Sequence, residues 1–283
     1  MASIDTTESG VDTAVLTQKE ARLRDLIGSY ASVAVAYSGG VDSSYLAFVA
    51  NDVLGRKATM VLADSPSIPR SEVDDAVTLA RERKWNLVIV RTTEFENEAY
   101  LKNDSQRCYF CKTALFEEMT RYAHANNVNV LAYGVMADDD LDDRPGHRAA
   151  EAFRVAAPLQ EVLLGKDEIR ELSRRENLPT ASKASFACLS SRFPTGSAIS
   201  VETIGRVEQA EEVLRSHGFH QFRARHHDDI CRIEVDPQEL DALLQDDVRE
   251  DITRRIKSIG YRFVTIDLAG YRMGSVARRP DAV

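Results

Sequence analysis

The chain has 283 residues, of which 43% are hydrophobic, and its formal net charge is −9. This length accommodates one large domain or two ordinary ones with a full core. The acidic balance argues against a nucleic-acid partner, and no apolar run is long enough to cross a membrane. Residues 1–15 lack the basic start and apolar core of a signal peptide. We therefore expect residues 1–16 to form a disordered tail and the protein to be cytoplasmic.

After a predicted helix over residues 17–30, the segment 33–54 has the pattern of a strand, a glycine-rich loop and a helix. Loop amides and the positive end of the helix dipole are available to an anion there. Glycine also lets the backbone approach a ligand closely. The segment predicts a phosphate-binding nest, in which Asp42 both caps the helix and holds Mg²⁺. The predicted contacts are Ser38, Gly39, Gly40, Asp42, Ser43 and Ser44.

The string SGGVDSS within this segment resembles the PP-loop signature of the ATP pyrophosphatases. That resemblance implies an enzyme that cleaves ATP between the α and β phosphates and transfers AMP to an oxygen of its substrate. The ordinary alternative is a glycine-rich turn without a ligand.

Two strand–helix units in succession predict an α/β fold with a doubly wound parallel sheet. Further strands are predicted over residues 58–63 and 87–91, with a helix over residues 70–84 between them. Asp64 and Ser65 directly follow the first of these two strands. Because the carboxyl ends of parallel strands line the ligand crevice, we expect both residues near the adenosine of ATP, with a simple turn as the alternative.

An acidic loop follows another predicted strand, residues 129–134. Five aspartates lie between Gly134 and Arg144, among them Asp139. A solvated acidic loop is the plain interpretation. Beside a phosphate-binding loop we prefer a functional one, in which Gly134, Asp139 and Arg144 contribute to a magnesium–pyrophosphate site.

Four cysteines in a chain of this type suggest metal binding or catalysis more than disulfides. Cys108 and Cys111 are spaced i and i+3 at the start of a predicted helix, so they share one face. Such a pair is compatible with redox chemistry, half a zinc site, two cluster ligands, or core packing. Cys188 falls in a loop of small and polar residues. Cys231 alternates in a predicted strand, which indicates packing.

The pattern changes after Gly196, where a helix over residues 201–217 precedes strands over residues 221–226 and 230–235. A helical stretch and a final strand complete a small α+β domain, which we expect to bind substrate and to mediate oligomerisation. The predicted domains are residues 17–194 and 195–283.

Five strings together resemble the LarE-type sulfur transferases, which mature the nickel-pincer nucleotide cofactor of lactate racemase. They are SGGVDSS, CYFCK, GxxADDxxDxRPG, CLSSRFPTG and RARHHDDICRIE. The resemblance extends over residues 17–276 and implies pyridinium-3,5-biscarboxylic acid mononucleotide as substrate. ATP adenylates a ring carboxylate and releases pyrophosphate, and a sulfur nucleophile then displaces AMP to give a thiocarboxylate.

The family has two sulfur sources, and this chain matches the second. In the first, the loop cysteine, here Cys188, gives up its own sulfur. In the second, three cysteines hold a [4Fe–4S] cluster whose open iron accepts sulfide from a donor. Cys108, Cys111 and Cys188 match that set.

The resemblance also assigns roles to residues near the end of the chain. Arg223 and Arg225 match the arginines that bind the substrate phosphate, and Arg192 closes the site. Together with Cys188 and Asp42, Arg192 is predicted to be catalytic. Glu211 and Glu234 fall where the family has a metal-binding pair at a subunit contact, and the family assembles as hexamers.

Three other functions stay open at this point. A tRNA-thiolating enzyme shares the PP-loop and the cysteines but needs a basic RNA surface. An amide-forming ligase of the NAD or GMP synthetase kind needs no cysteines. A non-enzymatic ATP-binding cluster carrier has the same motifs without catalysis.

Overall fold

The computed structural model of the chain describes residues 12–139, 145–184 and 187–272. These residues form two compact units that alternate along the chain. The first unit draws on segments 1–64, 71–92 and 115–186, and the second on segments 65–70, 93–114 and 187–283. The predicted domains divide the chain only once, after residue 194, and that division stays a proposal.

Eleven α-helices lie within the described residues. In chain order they are α1 (Thr13–Ser29), α2 (Val41–Leu54), α3 (Arg70–Glu82), α4 (Glu98–Leu101), α5 (Arg107–Asn126), α6 (Pro145–Ala152), α7 (Pro158–Glu161), α8 (Lys166–Arg175), α9 (Val201–Ser216), α10 (Leu240–Leu243) and α11 (Asp246–Ile259). The strands of the same residues are β1 (Val33–Ala36), β2 (Ala58–Asp64), β3 (Leu87–Arg91), β4 (Val130–Tyr133), β5 (Phe222–His227), β6 (Ile230–Val235) and β7 (Phe263–Ile266).

The first unit is built on a parallel four-stranded sheet in the order β3-β2-β1-β4. Strand β1 is buried along its whole length, because apolar side chains cover both faces of a central parallel strand. In register, Val33 lies opposite Ala58 of β2 on one side and Val130 of β4 on the other. The strand order reverses between β1 and β4, which is where doubly wound sheets bind ligands. The α/β prediction is confirmed.

The second unit contains a three-stranded sheet in the order β5-β6-β7. Strands β5 and β6 form an antiparallel hairpin, and β7 runs parallel to β6. Helix α9 begins with a reciprocal capping box between Ser200 and Thr203, and α11 ends at Gly260, whose φ is 118°. The core of this sheet and its helices includes Leu214, Phe222, Cys231, Ile233 and Ile256.

Two elements differ from the prediction for local reasons. Helix α1 begins at Thr13, where the Asp12 carboxylate caps it by accepting a hydrogen bond from the Ala14 N–H at 2.9 Å, so residues 13–16 are helical and not part of a disordered tail. The helical stretch predicted before the final strand, over residues 237–259, is divided into a 3-10 turn, the short helix α10 and the longer helix α11. No helix in the described part of the chain combines the length and the apolar character needed to cross a membrane.

Replacing Cys231 with Ala tests its assignment as a packing residue. Its side chain is fully buried, and burial raises the pKa of its thiol to about 12, so the group is a neutral core atom. We expect Cys231→Ala to lower the free energy of unfolding by about 1 kcal/mol, because the cavity it leaves collapses only in part. Urea denaturation of metal-free protein measures the change.

The matched control is Cys108→Ala, because the side chain of Cys108 is exposed. Its effect should stay within about 0.5 kcal/mol, as for most surface substitutions. Equal stability of the two variants would contradict a packing role for Cys231.

Candidate functional site

The glycine-rich loop after β1 is held in shape by its own backbone and hydroxyl groups. Gly39 has a φ of 71°, and a Cβ at this position would lie 2.8 Å from the Cβ of Ala76. The Ser38 N–H donates to Ser43 Oγ at 3.1 Å, and the two hydroxyls lie 3.0 Å apart. The Ser44 side chain is fully buried. The hydroxyl groups of Ser38 and Ser43 therefore fix the loop.

Helix α2 presents an uncapped N-terminus at the point where the strand order reverses. The prediction that Asp42 caps this helix is wrong, since the N-cap residue is Gly40 and Asp42 lies within the first turn. Gly40 contributes no side-chain hydrogen bond, so the first-turn N–H groups are available to an anion. Gly134, which follows β4, lies against this turn. A Cβ on Gly134 would come within 2.9 Å of the Ser43 nitrogen. The structure thus brings Gly134 to the predicted phosphate loop, as the strand positions suggested.

The carboxylate of Asp42 is engaged by Lys166, a residue for which the sequence predicted no role. Lys166 Nζ lies 2.9 Å from both Asp42 carboxylate oxygens. Lys166 is the first residue of α8, where a positive charge opposes the helix dipole. That unfavourable placement is the signal in the sequence that points to a separate role for this lysine.

The described part of the acidic loop binds backbone groups. Asp138 accepts a hydrogen bond from the Lys166 N–H at 2.7 Å, and Asp139 accepts one from the Met136 N–H at 3.2 Å. Arg144, which was predicted to bind phosphate, lies outside the described residues. The Mg²⁺–pyrophosphate role of this loop therefore stays a prediction.

Asp64 and Ser65, the predicted adenosine contacts, belong to different units. Asp64 ends β2 in the first unit, in register with Arg91. The Ser65 hydroxyl is buried in the second unit, where it contacts Glu94 and lies 2.8 Å from Ser67 Oγ. The Ser65 hydroxyl is thus already hydrogen-bonded within the protein, and its contact with adenosine stays a prediction.

The second unit collects the three cysteines that were predicted to act together. Cys108 and Cys111 lie at the start of α5, and Cys188 directly precedes a 3-10 turn, Leu189–Arg192. Arg107 joins the two segments, because its Nη1 donates to the Ser190 carbonyl at 2.8 Å. The Tyr100 hydroxyl lies 2.8 Å from Ser190 Oγ and adds a second link.

Apolar packing and charge both couple these cysteines. Cys111 packs against the core cluster that contains Leu189. Burial raises the pKa of the Cys111 thiol to about 12, and the Glu94 carboxylate and the thiols of Cys188 and Cys108 add to that effect. For Arg107, burial opposes the charge, but the Cys188 and Cys108 thiols more than offset it and hold the guanidinium pKa above its ordinary value. Arg107 is a site residue that the sequence did not reveal.

The cysteines do not form a site for a single ion. Within residues 12–139, 145–184 and 187–272, no three His, Cys, Asp or Glu side chains converge as ligands of one metal ion. A [4Fe–4S] cluster spreads its thiolates over separate irons, so its ligands need not converge on one point. Free thiols are donors that an iron–sulfur cluster requires, and the [4Fe–4S] cluster stays a prediction.

Two of the three arginines predicted at the substrate site are held in buried ion pairs. Arg192 donates through Nε and Nη2 to Glu211 at 2.8 and 3.0 Å, and Arg225 donates in the same way to Glu234 at 3.0 and 2.9 Å. Both arginines also bind the cysteine loop. Arg192 Nη1 donates to the Cys188 carbonyl at 3.1 Å, and Arg225 Nη1 donates to the Ser191 carbonyl at 2.9 Å.

Arg223 differs from both because it forms no ion pair with any described residue. Its guanidinium carbon lies 4.9 Å from the centre of the Tyr271 ring. Burial lowers the pKa of Arg223, and the positive charges of Arg192 and Arg225 lower it further. A partly buried cation beside two others is an attractive position for an anion.

The predicted metal pair, Glu211 and Glu234, is accounted for by these contacts in the single chain. Glu211 accepts from Arg192 and from the Ala224 N–H, and Glu234 accepts from Arg225 and Arg232. Buried carboxylates need such partners, since an unpaired charge is costly to bury. Metal binding at a subunit contact stays a prediction.

No family model matches the chain. It is 38% identical to an uncharacterised protein of Synechocystis over 264 residues, 93% of this chain and 98% of that protein. It is 34% identical to the pyridinium-3,5-bisthiocarboxylic acid mononucleotide synthase of Lactiplantibacillus plantarum over 263 residues, 92% of this chain and 94% of that enzyme. It is also 26% identical to a glutamine-hydrolysing GMP synthase chain of Saccharolobus islandicus over 202 residues, 65% of this chain and 52% of that protein.

The parallel sheet, the uncapped helix that begins within SGGVDSS and these relatives define an ATP-dependent enzyme of the PP-loop ATP pyrophosphatase class. Within that class, the chain belongs to the LarE family of sulfur transferases, since it matches the Lactiplantibacillus plantarum synthase over nearly its whole length. The predicted family is confirmed.

The two loop glycines make separable predictions. Gly39→Ala forces a side chain onto a positive φ and against Ala76, so we expect the free energy of unfolding to fall by about 2 kcal/mol.

Gly40 has an extended backbone, and a Cβ there meets only Ser38 Oγ at 3.4 Å. Gly40→Val should therefore keep its stability and lose ATP affinity. Thermal melts and equilibrium ATP binding measure the two effects, and normal ATP binding by Gly40→Val would contradict the assignment of the loop to phosphate.

Proposed function

We propose that the protein adenylates a carboxylate of pyridinium-3,5-biscarboxylic acid mononucleotide and replaces its oxygen with sulfur. The support is its family and the name of the Lactiplantibacillus plantarum relative. A carboxylate resists nucleophiles, whereas AMP is a good leaving group, so adenylation makes the carbonyl carbon reactive towards sulfur. The product is a thiocarboxylate, which serves nickel-pincer nucleotide synthesis.

Adenylation is assigned to the loop after β1. The first-turn amides of α2 bind the phosphates, with Gly39, Gly40 and Gly134 allowing close approach. Asp42 is an oxygen ligand of the type that Mg²⁺ prefers, and its position in the first turn of α2 supports that role. Bound Mg²⁺ would neutralise charge on the departing pyrophosphate.

Sulfur transfer is assigned to the cysteines of the second unit. The observation that carries this proposal is the contact between the start of α5 and the Cys188 loop, although the two are distant in the chain: Arg107 Nη1 donates to the Ser190 carbonyl at 2.8 Å, and Cys111 packs against the core cluster that contains Leu189. The three thiolates would hold a [4Fe–4S] cluster, which supplies sulfur from its open iron. Arg107 contributes a positive charge that stabilises thiolates.

Substrate binding is assigned to the arginines of the same unit, with distinct roles. Arg223 binds the nucleotide phosphate directly. Arg192 and Arg225 hold the Cys188 loop in place and add positive charge, while Glu211 and Glu234 fix their guanidinium planes. A sulfide donor, assembly as a homo-oligomer and a cytoplasmic location complete the proposal.

The cluster assignment makes a prediction for each cysteine. Anaerobically purified protein should be brown, and each of Cys108→Ala, Cys111→Ala and Cys188→Ala should lose iron while Cys231→Ala keeps it. With ATP, the pyridinium substrate and sulfide, the wild type should release pyrophosphate and form several products per enzyme. Iron analysis, visible absorption and mass spectrometry measure these outcomes.

The same experiment distinguishes the cluster from the other sulfur source, the sulfur of Cys188 itself. Sacrifice of Cys188 would leave the protein lighter by one sulfur after a single turnover. Full activity of a Cys108→Ala/Cys111→Ala variant would contradict the cluster. A colourless protein that contains zinc would also contradict the cluster. Pyrophosphate release at the same rate with and without the pyridinium substrate would contradict the assigned substrate.

Arg223→Lys tests the phosphate contact. Lys keeps the charge but loses the planar fork, so we expect the KM for the pyridinium nucleotide to rise about tenfold with little change in stability. Arg215→Lys is the matched control, because Arg215 also lies over an aromatic ring of the second unit, that of Phe222. An unchanged KM for Arg223→Lys would remove Arg223 from the substrate site.

A further inference from the structure

Strand β4 brings Gly134 to the phosphate loop from the edge of the four-stranded sheet. Within the described residues β4 pairs with β1 on one side, and an isolated bridge joins Ala132 to Ala156. Tyr133, the last residue of β4, directly precedes Gly134, and its N–H donates to the Ala156 carbonyl at 3.0 Å. A Cβ on Gly134 would come within 2.9 Å of the Ser43 nitrogen, so the end of β4 and the first turn of α2 share one close contact. A displacement of this strand end therefore alters the phosphate loop.

The side chain of Tyr133 ties this strand end to helix α6. Its hydroxyl oxygen lies 2.6 Å from His147 Nδ1, and the two rings are stacked with an angle of 30° between their planes. Both are largely removed from water, since Tyr133 is 8% exposed and the His147 side chain is 20% exposed. Phe116 packs edge-on against Tyr133, with 6.0 Å between the ring centres. The hydrogen bond and the ring packing together fix the direction of the Tyr133 side chain.

The hydrogen bond runs from the tyrosine to the histidine. Burial raises the pKa of Tyr133 to about 12, and the carboxylates of Asp139 and Glu151 add to this effect, so the phenol keeps its proton. A neutral imidazole accepts with one nitrogen and carries its hydrogen on the other. When Nδ1 accepts from Tyr133, the hydrogen is on Nε2, which faces Glu151 Oε1 at 3.6 Å. Glu151 therefore favours the tautomer in which His147 accepts.

We propose that Tyr133 and His147 are positioning residues of the ATP site. His147 holds the Tyr133 side chain, Tyr133 holds the backbone of Gly134, and that backbone holds the first turn of α2 in the geometry that binds phosphates. A site that is built before its ligand arrives binds more tightly, because less conformational entropy is lost on binding. The proposal rests on the assignment of this turn to ATP, and neither side chain contacts the nucleotide.

A purely structural role for the pair predicts a different result. If the Tyr133 hydroxyl only stabilises the fold, its removal lowers the melting temperature and leaves the ATP affinity of the folded protein unchanged. If it positions the phosphate loop, the folded variant binds ATP and pyrophosphate more weakly.

The test measures equilibrium binding of Mg²⁺·ATP and of pyrophosphate to the full chain, without the pyridinium nucleotide and below the melting transition of each variant. Tyr133→Phe keeps the aromatic ring and its packing against Phe116 and removes only the hydroxyl. We expect it to weaken binding of both ligands roughly fivefold, because about the energy of one hydrogen bond is then needed to restore the loop geometry.

Two variants of His147 separate the hydrogen bond from the ring. The side-chain oxygen of Asn can take the place of Nδ1 and accept from Tyr133, whereas the longer side chain of Gln carries its amide towards the position of Nε2. His147→Asn should therefore keep the wild-type affinities to within about twofold, and His147→Gln should weaken them as Tyr133→Phe does.

Tyr122→Phe is the matched control. Tyr122 belongs to the same unit, and its hydroxyl lies 3.5 Å from Thr59 Oγ1. Thr59 is near the start of β2, so this variant removes a tyrosine hydroxyl at the end of the parallel sheet that lies opposite the phosphate loop. It should bind both ligands like the wild type, and thermal melts of all variants measure the accompanying change in stability.

Equal ATP affinity of Tyr133→Phe and Tyr122→Phe would overturn the proposal. Equal affinities of His147→Asn and His147→Gln would also overturn it, and this comparison decides the question if Tyr133→Phe does not fold. A wild type that binds neither ATP nor pyrophosphate would overturn both this inference and the assignment of the loop to phosphate. Failure of the proposed function is thus seen in the wild type, whereas failure of this inference alone is seen only in the variants.

Discussion

The close contact between Gly134 and the first turn of α2 is the constraint on which the first unit depends. One added methyl group would come within 2.9 Å of the Ser43 nitrogen. This contact joins the ends of β1 and β4, the two strands between which the sheet order reverses. It also sets the start of the segment that carries Asp138, which in turn fixes the backbone of Lys166. The close contact at Gly134 therefore helps to position the phosphate loop, Asp138 and Lys166.

In the second unit, the constraint on which the arrangement of side chains depends is the free-energy cost of burying charge. Arg192 and Arg225 are almost fully buried, and each is paired with a glutamate through two hydrogen bonds. Removing one member of either pair would leave its partner as an uncompensated buried charge, which is strongly destabilising. Because both arginines also donate to backbone carbonyls of the Cys188 loop, the two ion pairs help to fix the position of that loop. Of these three arginines, Arg223 is the one that has no carboxylate partner among the described residues.

The contacts of each side chain distinguish residues of the same type, first among the arginines and then among the cysteines. Three arginines have the same charge, yet two are held by buried glutamates and the third lies over an aromatic ring. Three cysteines near Arg107 differ from Cys231, which is buried in an apolar core. The distinction comes from the partners of each side chain, not from its chemistry.

The amino-acid sequence by itself determined the local elements and their class. The strand–loop–helix around SGGVDSS, the shared face of Cys108 and Cys111, and the strand position of Cys231 follow from periodicity and from glycine, which act over a few residues. Only the tertiary structure decided the pairing of Lys166 with Asp42, the link of Arg107 to Ser190 and the capture of Arg192 by Glu211. It also decided that segments 65–70 and 93–114 join the second unit. Those outcomes depend on which distant groups must satisfy one another's charge and hydrogen bonds, and local pattern carries no information about such long-range partners.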